Sequence, residues 1–334
     1  METLIATPRA AAPQTAASPW PRFLLGRLAG LAAVLVLLVV GTFLIVQLIP
    51  GDPAQVMAGP DAAPSQIALT RHQLGLDKPL LTQFADYAGG LLHGDLGTSF
   101  SSGQPVSEVI ADRLPFTAQI AFLAVLIALL VSIPLGMAVA VACRGERRRA
   151  LDTAFTTVTS VLGSIPEFVL ATLLIMLFAI KLRMFPPSGA ATLDSMVLPV
   201  LALTIAPICT LARVVRRETA TVLAMDYMRT ARGHRLTALR LYARHALPNL
   251  MTSTLTLGGL VLTGLLGGAV IVEFVFAWPG LGTGVLDAIG KRDYPVIQGV
   301  VLVLGVLATF LNLLVDVVLG LLDPRSLRGK AGDA

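Results

Sequence analysis

Three carboxylates fall within or at the edges of long apolar runs in this sequence: Glu167, Glu273 and Asp316. A charge in hydrocarbon is costly, so an acid at such a depth marks a solute path or a hydrogen-bonded joint. Glu167 follows Pro166 in Ser-Ile-Pro-Glu-Phe, where it suits a broken helix lining a path. Glu273 stands beside Trp278-Pro279-Gly280, where it serves either the path or a bond from helix to loop. Asp316 lies within two turns of a boundary followed by Arg325 and Arg328, a setting for ion pairing. Proton coupling through any of the three is the competing chemistry.

Catalysis has less to stand on. The four histidines, His72, His93, His234 and His245, are dispersed and give no metal-ligand spacing. Ser164 and the other hydroxyls have no neighbouring base. Gly280-Leu281-Gly282-Thr283-Gly284 lacks the GxxxxGK[ST] spacing of a phosphate cradle and follows no strand. Cys143 and Cys209 form neither a CxxC pair nor a zinc set. The chain reads as a non-enzyme with no cofactor of its own, and energy for any work it does has to come from another polypeptide.

The elements that would position these acids are membrane helices. Of 334 residues, 55% are hydrophobic and 13% charged, half the charge of a soluble domain, which is about 25%. Mean hydropathy is +0.79. About 20 apolar residues cross a bilayer core, and six runs meet that need, near 28–49, 117–143, 158–180, 196–214, 255–277 and 297–322. The fourth is interrupted by Pro199 and Pro207. The first is too long for a cleaved signal peptide and ends in Ile-Pro-Gly-Asp-Pro. The net charge of +5 therefore reads as a topology signal rather than a nucleic-acid surface. With the N-terminus inside, 18 Lys and Arg fall in inner segments against 4 in short outer loops, which places both termini in the cytoplasm. Gly264 with Gly268, and Gly26 with Gly30, give GxxxG spacings that suit close helix contact.

Two intervening segments are too long to be plain connectors. In 51–116, an outer segment, Asp77-Lys78-Pro79 starts a helix with Leu80, Leu81, Phe84, Tyr87, Ala88, Leu91 and Leu92 on one face. A second short helix follows from Pro105 to Leu114. This segment is either a cap on the membrane surface or a dock for an extracytoplasmic partner. The other segment, 215–250, is inner and strongly basic. It fits two short helices parted by a turn at Gly233–Leu236, with Thr237 capping the second.

The run Asp226-Tyr227-Met228-Arg229-Thr230-Ala231-Arg232, followed by Arg244-His245-Ala246-Leu247-Pro248-Asn249, resembles the EAA loop of binding-protein-dependent ABC import permeases. More narrowly it is similar to the dipeptide/oligopeptide/nickel family, on the side of the first of its two paired permeases. Pro50-Gly51-Asp52-Pro53, Leu74-Gly75-Leu76-Asp77-Lys78-Pro79, His93-Gly94-Asp95-Leu96-Gly97, Glu273 to Gly282, Arg292-Asp293-Tyr294-Pro295 and Leu322-Asp323-Pro324-Arg325 are family-like in the same order.

The resemblance implies an all-α integral membrane protein of six transmembrane helices, a MetI-like permease fold with an extra N-terminal helix. The expected division is a disordered 1–20, a first span in 21–50, the outer segment 51–116, a five-helix core 117–323 and a tail 324–334. Implied partners are a second related permease, two ABC ATPase subunits carrying ATP and Mg, an extracytoplasmic solute-binding protein and the lipid of a bacterial inner membrane. The solute is a peptide or a related small solute, nickel complexes included; a self-sufficient carrier is the rival. The EAA resemblance assigns ATPase coupling to Glu218, Asp226, Tyr227, Arg229, Thr230, Ala231, Arg232, Gly233, Arg235, Leu236 and Arg240. Within that set, Arg229 and Arg232 are expected to meet ATPase carboxylates, and Tyr227, Ala231 and Leu236 to make apolar contact.

One position departs from the family pattern. Where the family has glycine in the turn, this chain has Arg235, and Gly233 stands two residues earlier. Either the turn shifts to Gly233 or Arg235 takes a left-handed conformation, which costs a non-glycine residue about 1–2 kcal/mol.

Overall fold

A computed structural model describes residues 20–48, 52–59, 61–144, 148–233 and 237–322. Among them the chain is helical apart from its loops and one isolated bridge between Thr98 and Pro105. Helix α1 spans Trp20–Leu48. Short helices α2, Pro53–Ala58, and α3, Pro64–Gln73, follow. The Asp52 carboxylate caps α2 by accepting from the Ala54 amide at 3.0 Å, and it pairs with Arg71 of α3. Helix α4 is Leu80–Leu92 and α5 is Val106–Ala142. Next come α6, Arg149–Gly163, and α7, Glu167–Leu174, which continues as a π-helical stretch Ile175–Lys181. Helix α8 is Val197–Ala224 and α9 is Asp226–Gly233. Helix α10, Ala238–Leu241, runs through a π-helical turn, Tyr242–Ala246, into α11, Leu247–Val275. The last two are α12, Leu281–Lys291, and α13, Tyr294–Leu322.

Four helices among the described residues are long and apolar enough to cross a membrane, in α1, α5, α8 and α13. Helices α6 and α7 qualify only as a pair bent by 93°. Helix α11, 29 residues long, covers the fifth apolar run. The third run is therefore not one straight span. Pro166 has no amide hydrogen and disfavours helix in the residue before it, so the chain turns at Ser164-Ile165-Pro166. Pro115 and Pro134 in α5 and Pro207 in α8 break nothing. In a packed membrane helix the freed carbonyls are re-satisfied locally and by neighbours.

Two other boundaries move. The short helix expected at Pro105–Leu114 is the first part of α5, a single helix of 37 residues. The fourth span does not stop near 214: α8 continues to Ala224 and absorbs the start of the basic segment. The expected inner face of α4 is also only half right. Phe84 and Tyr87 pack on Phe43 of α1, with ring centroids 5.3 and 6.0 Å away. Leu80, Leu81 and Leu92 stay exposed.

The main core joins α5, α7, α8 and α11 around Ile120, Leu170, Leu203 and Leu265, closed by Phe276 and Trp278. Helices α5 and α8 approach so closely at Gly136 that a Cβ there would stand 2.6 Å from the Ala212 carbonyl oxygen. Gly305 of α13 leaves similar room for Leu38 of α1. Three of the four GxxxG glycines behave otherwise, Gly268 being the exception. Gly26, Gly30 and Gly264 meet nothing within 4 Å among the described residues.

Candidate coupling site and translocation path

Helix α8 ends where Met225 takes an extended conformation, ψ 151°, and the chain turns directly into α9. Eight residues make a helix too short to persist alone in water, so α9 depends on what it packs against. Met228, wholly buried, and Ala231, 8% exposed, lie one turn apart and point inward. They join Val222 and Leu223 of α8 with Leu241, Ala246 and Leu250 in a separate apolar cluster, flanked by Met137 and Val141 of α5. The opposite face carries Asp226, Tyr227 and Thr230, all exposed. The acid at the first position of α9 suits the positive end of the helix dipole.

This geometry sorts the expected coupling residues. Asp226, Tyr227, Thr230, Gly233 and Arg240 present outward. Ala231 does not: it packs into the cluster beneath α9, so the expectation that it touches a partner is corrected. Glu218 sits half-buried on α8, about 10 Å along the helix from Met225 at 1.5 Å per residue, and not in the loop. Gly233 is the last residue of α9 and has no positive φ; the turn that follows lies outside the described residues. Arg235 and Leu236, and the side chains of Arg229 and Arg232, lie outside the described residues. Met228 was missed by sequence reading, although its spacing from Ala231 and its apolar type were the available signal.

Above α9, the first arm of the bent span, α6, is tied twice to α8. Arg216 pairs with Asp152 of α6, and Arg213 Nη1 donates to Ser160 Oγ at 2.9 Å. Sequence reading counted these arginines only as topology charges; their partners emerge from the fold.

The apolar-run carboxylates differ sharply from one another. Glu273 is fully buried. Its Oε1 accepts from Thr117 Oγ1 at 2.7 Å and its Oε2 from the Gly282 amide at 2.7 Å. Its own carbonyl accepts from the Trp278 amide at 2.8 Å. A Cβ on Gly280 would stand 2.4 Å from the carboxylate. The structure thus gives Glu273 the helix-to-loop bond rather than an open position on a path. Glu167 begins α7 just past the bend, half-buried, with its carboxylate against Gly268 of α11. No hydrogen bond or ion pair reaches it from the described residues. The Asp316 side chain lies outside the described residues.

The end of the molecule opposite α9 is latched by acids. Asp293, between α12 and α13, accepts from Ser99 Oγ at 2.5 Å, from the Phe100 amide at 3.0 Å, and from the Ser101 hydroxyl and amide at 2.8 and 3.1 Å. Burial pushes its carboxyl up, but these donors outweigh burial and hold it below the usual carboxylate value. Trp278 Nε1 donates to the Phe116 carbonyl at 3.1 Å. A cavity of about 490 Å³ lies at this end, lined by Phe43, Tyr87, Phe100 and Tyr294. None of its lining residues belongs to α7, α9 or α11.

Comparison with known proteins agrees with this arrangement. Residues 132–328 match the family described as "Binding-protein-dependent transport system inner membrane component", and residues 21–121 match its N-terminal component. A Brucella abortus protein named as a permease of a peptide transport system is 38% identical over 310 residues, covering 90% of this chain and 98% of that one. The glutathione transport system permease protein of Salmonella choleraesuis is 41% identical over 302 residues, covering 90% and 97%. Among solved structures, an inward-facing methionine ABC transporter aligns with a TM-score of 0.56 at 17% identity, over 65% of this chain and 97% of its own; it speaks to the fold alone. From α1 to α13, this chain belongs to the binding-protein-dependent transport system inner membrane components, and it is the permease subunit of an ABC importer.

Proposed function

We propose that this permease carries peptides, and that α9 is the element through which a partner ATPase drives it. The observation that supports the coupling reading best is the seating of α9. Met228 and Ala231 fix it to the end of α8, while Asp226, Tyr227 and Thr230 are solvent-exposed on its other face. A helix held this way transmits a push on its outer face into α8, and from there through Arg216–Asp152 and Arg213–Ser160 into the bent span. Relatives named for peptide and glutathione transport, similar along nine-tenths of the chain, support the solute class.

In this reading the chain is non-catalytic and multi-pass in a bacterial inner membrane, with both termini cytoplasmic. It pairs with a second permease to enclose the path, sits on two ATPase subunits that hold ATP and Mg, and receives solute from an extracytoplasmic binding protein. Arg229, Arg232, Arg235, Leu236 and Arg240 extend the coupling surface around α9. Nucleic acid has no part in it.

Reconstitution in proteoliposomes tests this. Uptake of dialanine is expected only when both permeases, the ATPases, the binding protein and ATP are all present. Uptake by this chain alone would identify a carrier or channel instead. Within the full system, Arg229→Glu is expected to abolish uptake while the complex stays assembled; uptake at the wild-type rate would remove the coupling assignment.

A further inference from the structure

We propose that Glu167 is a transit site for the α-ammonium group of a peptide, an inference that rests on the peptide reading above. Among the described residues, the two fully buried acids are saturated with donors. Glu273 holds Thr117 and the 282 amide, and Asp293 holds four donors from residues 99–101. Glu167 is half-buried in the middle of an apolar span, and no described residue donates to it or pairs with it. An acid left so in a membrane protein is costly.

Its setting keeps the oxygens available. Glu167 is the first residue of α7, where the helix dipole favours a negative charge. The 93° bend separates the two half-helices at this point. Across from it, Gly268 has no side chain to displace the carboxylate: a Cβ would lie 1.9 Å from Oε2. Gly264 and Gly267, on the same helix, meet nothing within 4 Å among the described residues, so no described side chain covers this stretch of α11.

The chemistry that fits a lone carboxylate at such a bend is a primary ammonium, with one positive charge and three donors. A metal ion fits poorly, because no group of three or more His, Cys, Asp or Glu forms a ligand set among the described residues. A peptide passing N-terminus first past the bend would exchange its hydration for this acid and then leave it. A single contact of this kind binds weakly enough to release.

The test uses the complete transporter in proteoliposomes, with dialanine and N-propionyl-alanine, which has the same shape without the ammonium. Each is supplied at a concentration that saturates the binding protein. Glu167→Gln is expected to slow dialanine uptake by about tenfold or more, as for loss of a charge-assisted hydrogen bond. Uptake of N-propionyl-alanine and binding-protein-stimulated ATP hydrolysis should be unchanged. Gly268→Ala should reproduce the selective loss by pushing the carboxylate aside, and the double variant should be no worse than either single one. Equal loss for both solutes, or no loss, would overturn the proposal. Failure of Glu167→Gln to assemble with the second permease would also overturn it, by making the acid a subunit contact. A wild-type complex that takes up no dialanine would fail the peptide reading first; normal uptake that ignores Glu167 would fail this inference alone.

Discussion

The two ends of this permease are held by different forces. At the end opposite α9, loops are fixed by directional bonds: Glu273 to Thr117 and Gly282, Asp293 to residues 99–101, and Trp278 Nε1 to the Phe116 carbonyl. At the other end, α9 is held by an apolar cluster under one face, with its polar face turned outward. Directional bonds set one geometry and resist change. An apolar seat tolerates small rotations of a helix while keeping it attached. The contrast suits a protein that needs a fixed frame at one end and a lever at the other.

The sharpest way to break this comparison is at Glu273. Glu273→Ala leaves the Thr117 O–H and the Gly282 N–H buried without acceptors and should cost about 3 kcal/mol or more. Thermal unfolding of the detergent-solubilised complex would report it, and an unchanged midpoint would show that the frame is not held there. Met228→Ala should come next, at about 2–3 kcal/mol for a fully buried side chain. Its effect should be local: hydrogen exchange should rise in 222–250 while the opposite end stays protected. Tyr227→Ala, on the outer face, should leave that exchange pattern unchanged.

Asp293→Asn should cost about 1–2 kcal/mol, because a charged acceptor of four donors becomes a neutral one. The sign of the pH effect follows from the lowered pKa of Asp293. A depressed carboxylate contributes stability above its ordinary value of 3.8, and that contribution is lost as pH falls through the folded-state value. The wild-type chain should therefore lose latch stability in acid below about pH 4, and the asparagine variant should show a flatter acid limb. The smallest effect is expected at Ala277, which follows α11 in a left-handed conformation, φ 47°. The Trp278 amide bonds back to the Glu273 carbonyl across it, and the Ala277 amide to Phe274, a helix ending that favours glycine. Ala277→Gly should stabilise the frame by about 1 kcal/mol.

The sequence made much of this legible, and the residues show why the rest was not. Hydropathy located the long helices because apolar length is a property of composition. It could not distinguish Pro166, which breaks a span, from Pro134 and Pro207, which do not, because the outcome depends on neighbours that re-satisfy the backbone. The order of motifs identified the basic segment, and the structure adds which face of it is buried. Ala231 turns inward beside Met228, rather than outward as the sequence suggested, since α9 is too short for its apolar pattern to declare a face. Glu273 and Glu167 look alike as acids in apolar runs. Only the fold separates them, by bringing Thr117, 156 residues away in sequence, to one and leaving the other with Gly268.

The central claim, that α9 is a seated helix whose outer face meets the ATPase, is tested most directly by disulfide crosslinking. In a chain with Cys143 and Cys209 replaced, single cysteines at Tyr227, Thr230, Met228 and Ala231 would be paired in turn with cysteines on the ATPase surface in the assembled transporter. Rapid crosslinking from positions 227 and 230, changing in yield on ATP binding, with little from 228 and 231, is the predicted result. Crosslinking that favours 228 and 231, or none from any position on α9, would contradict it.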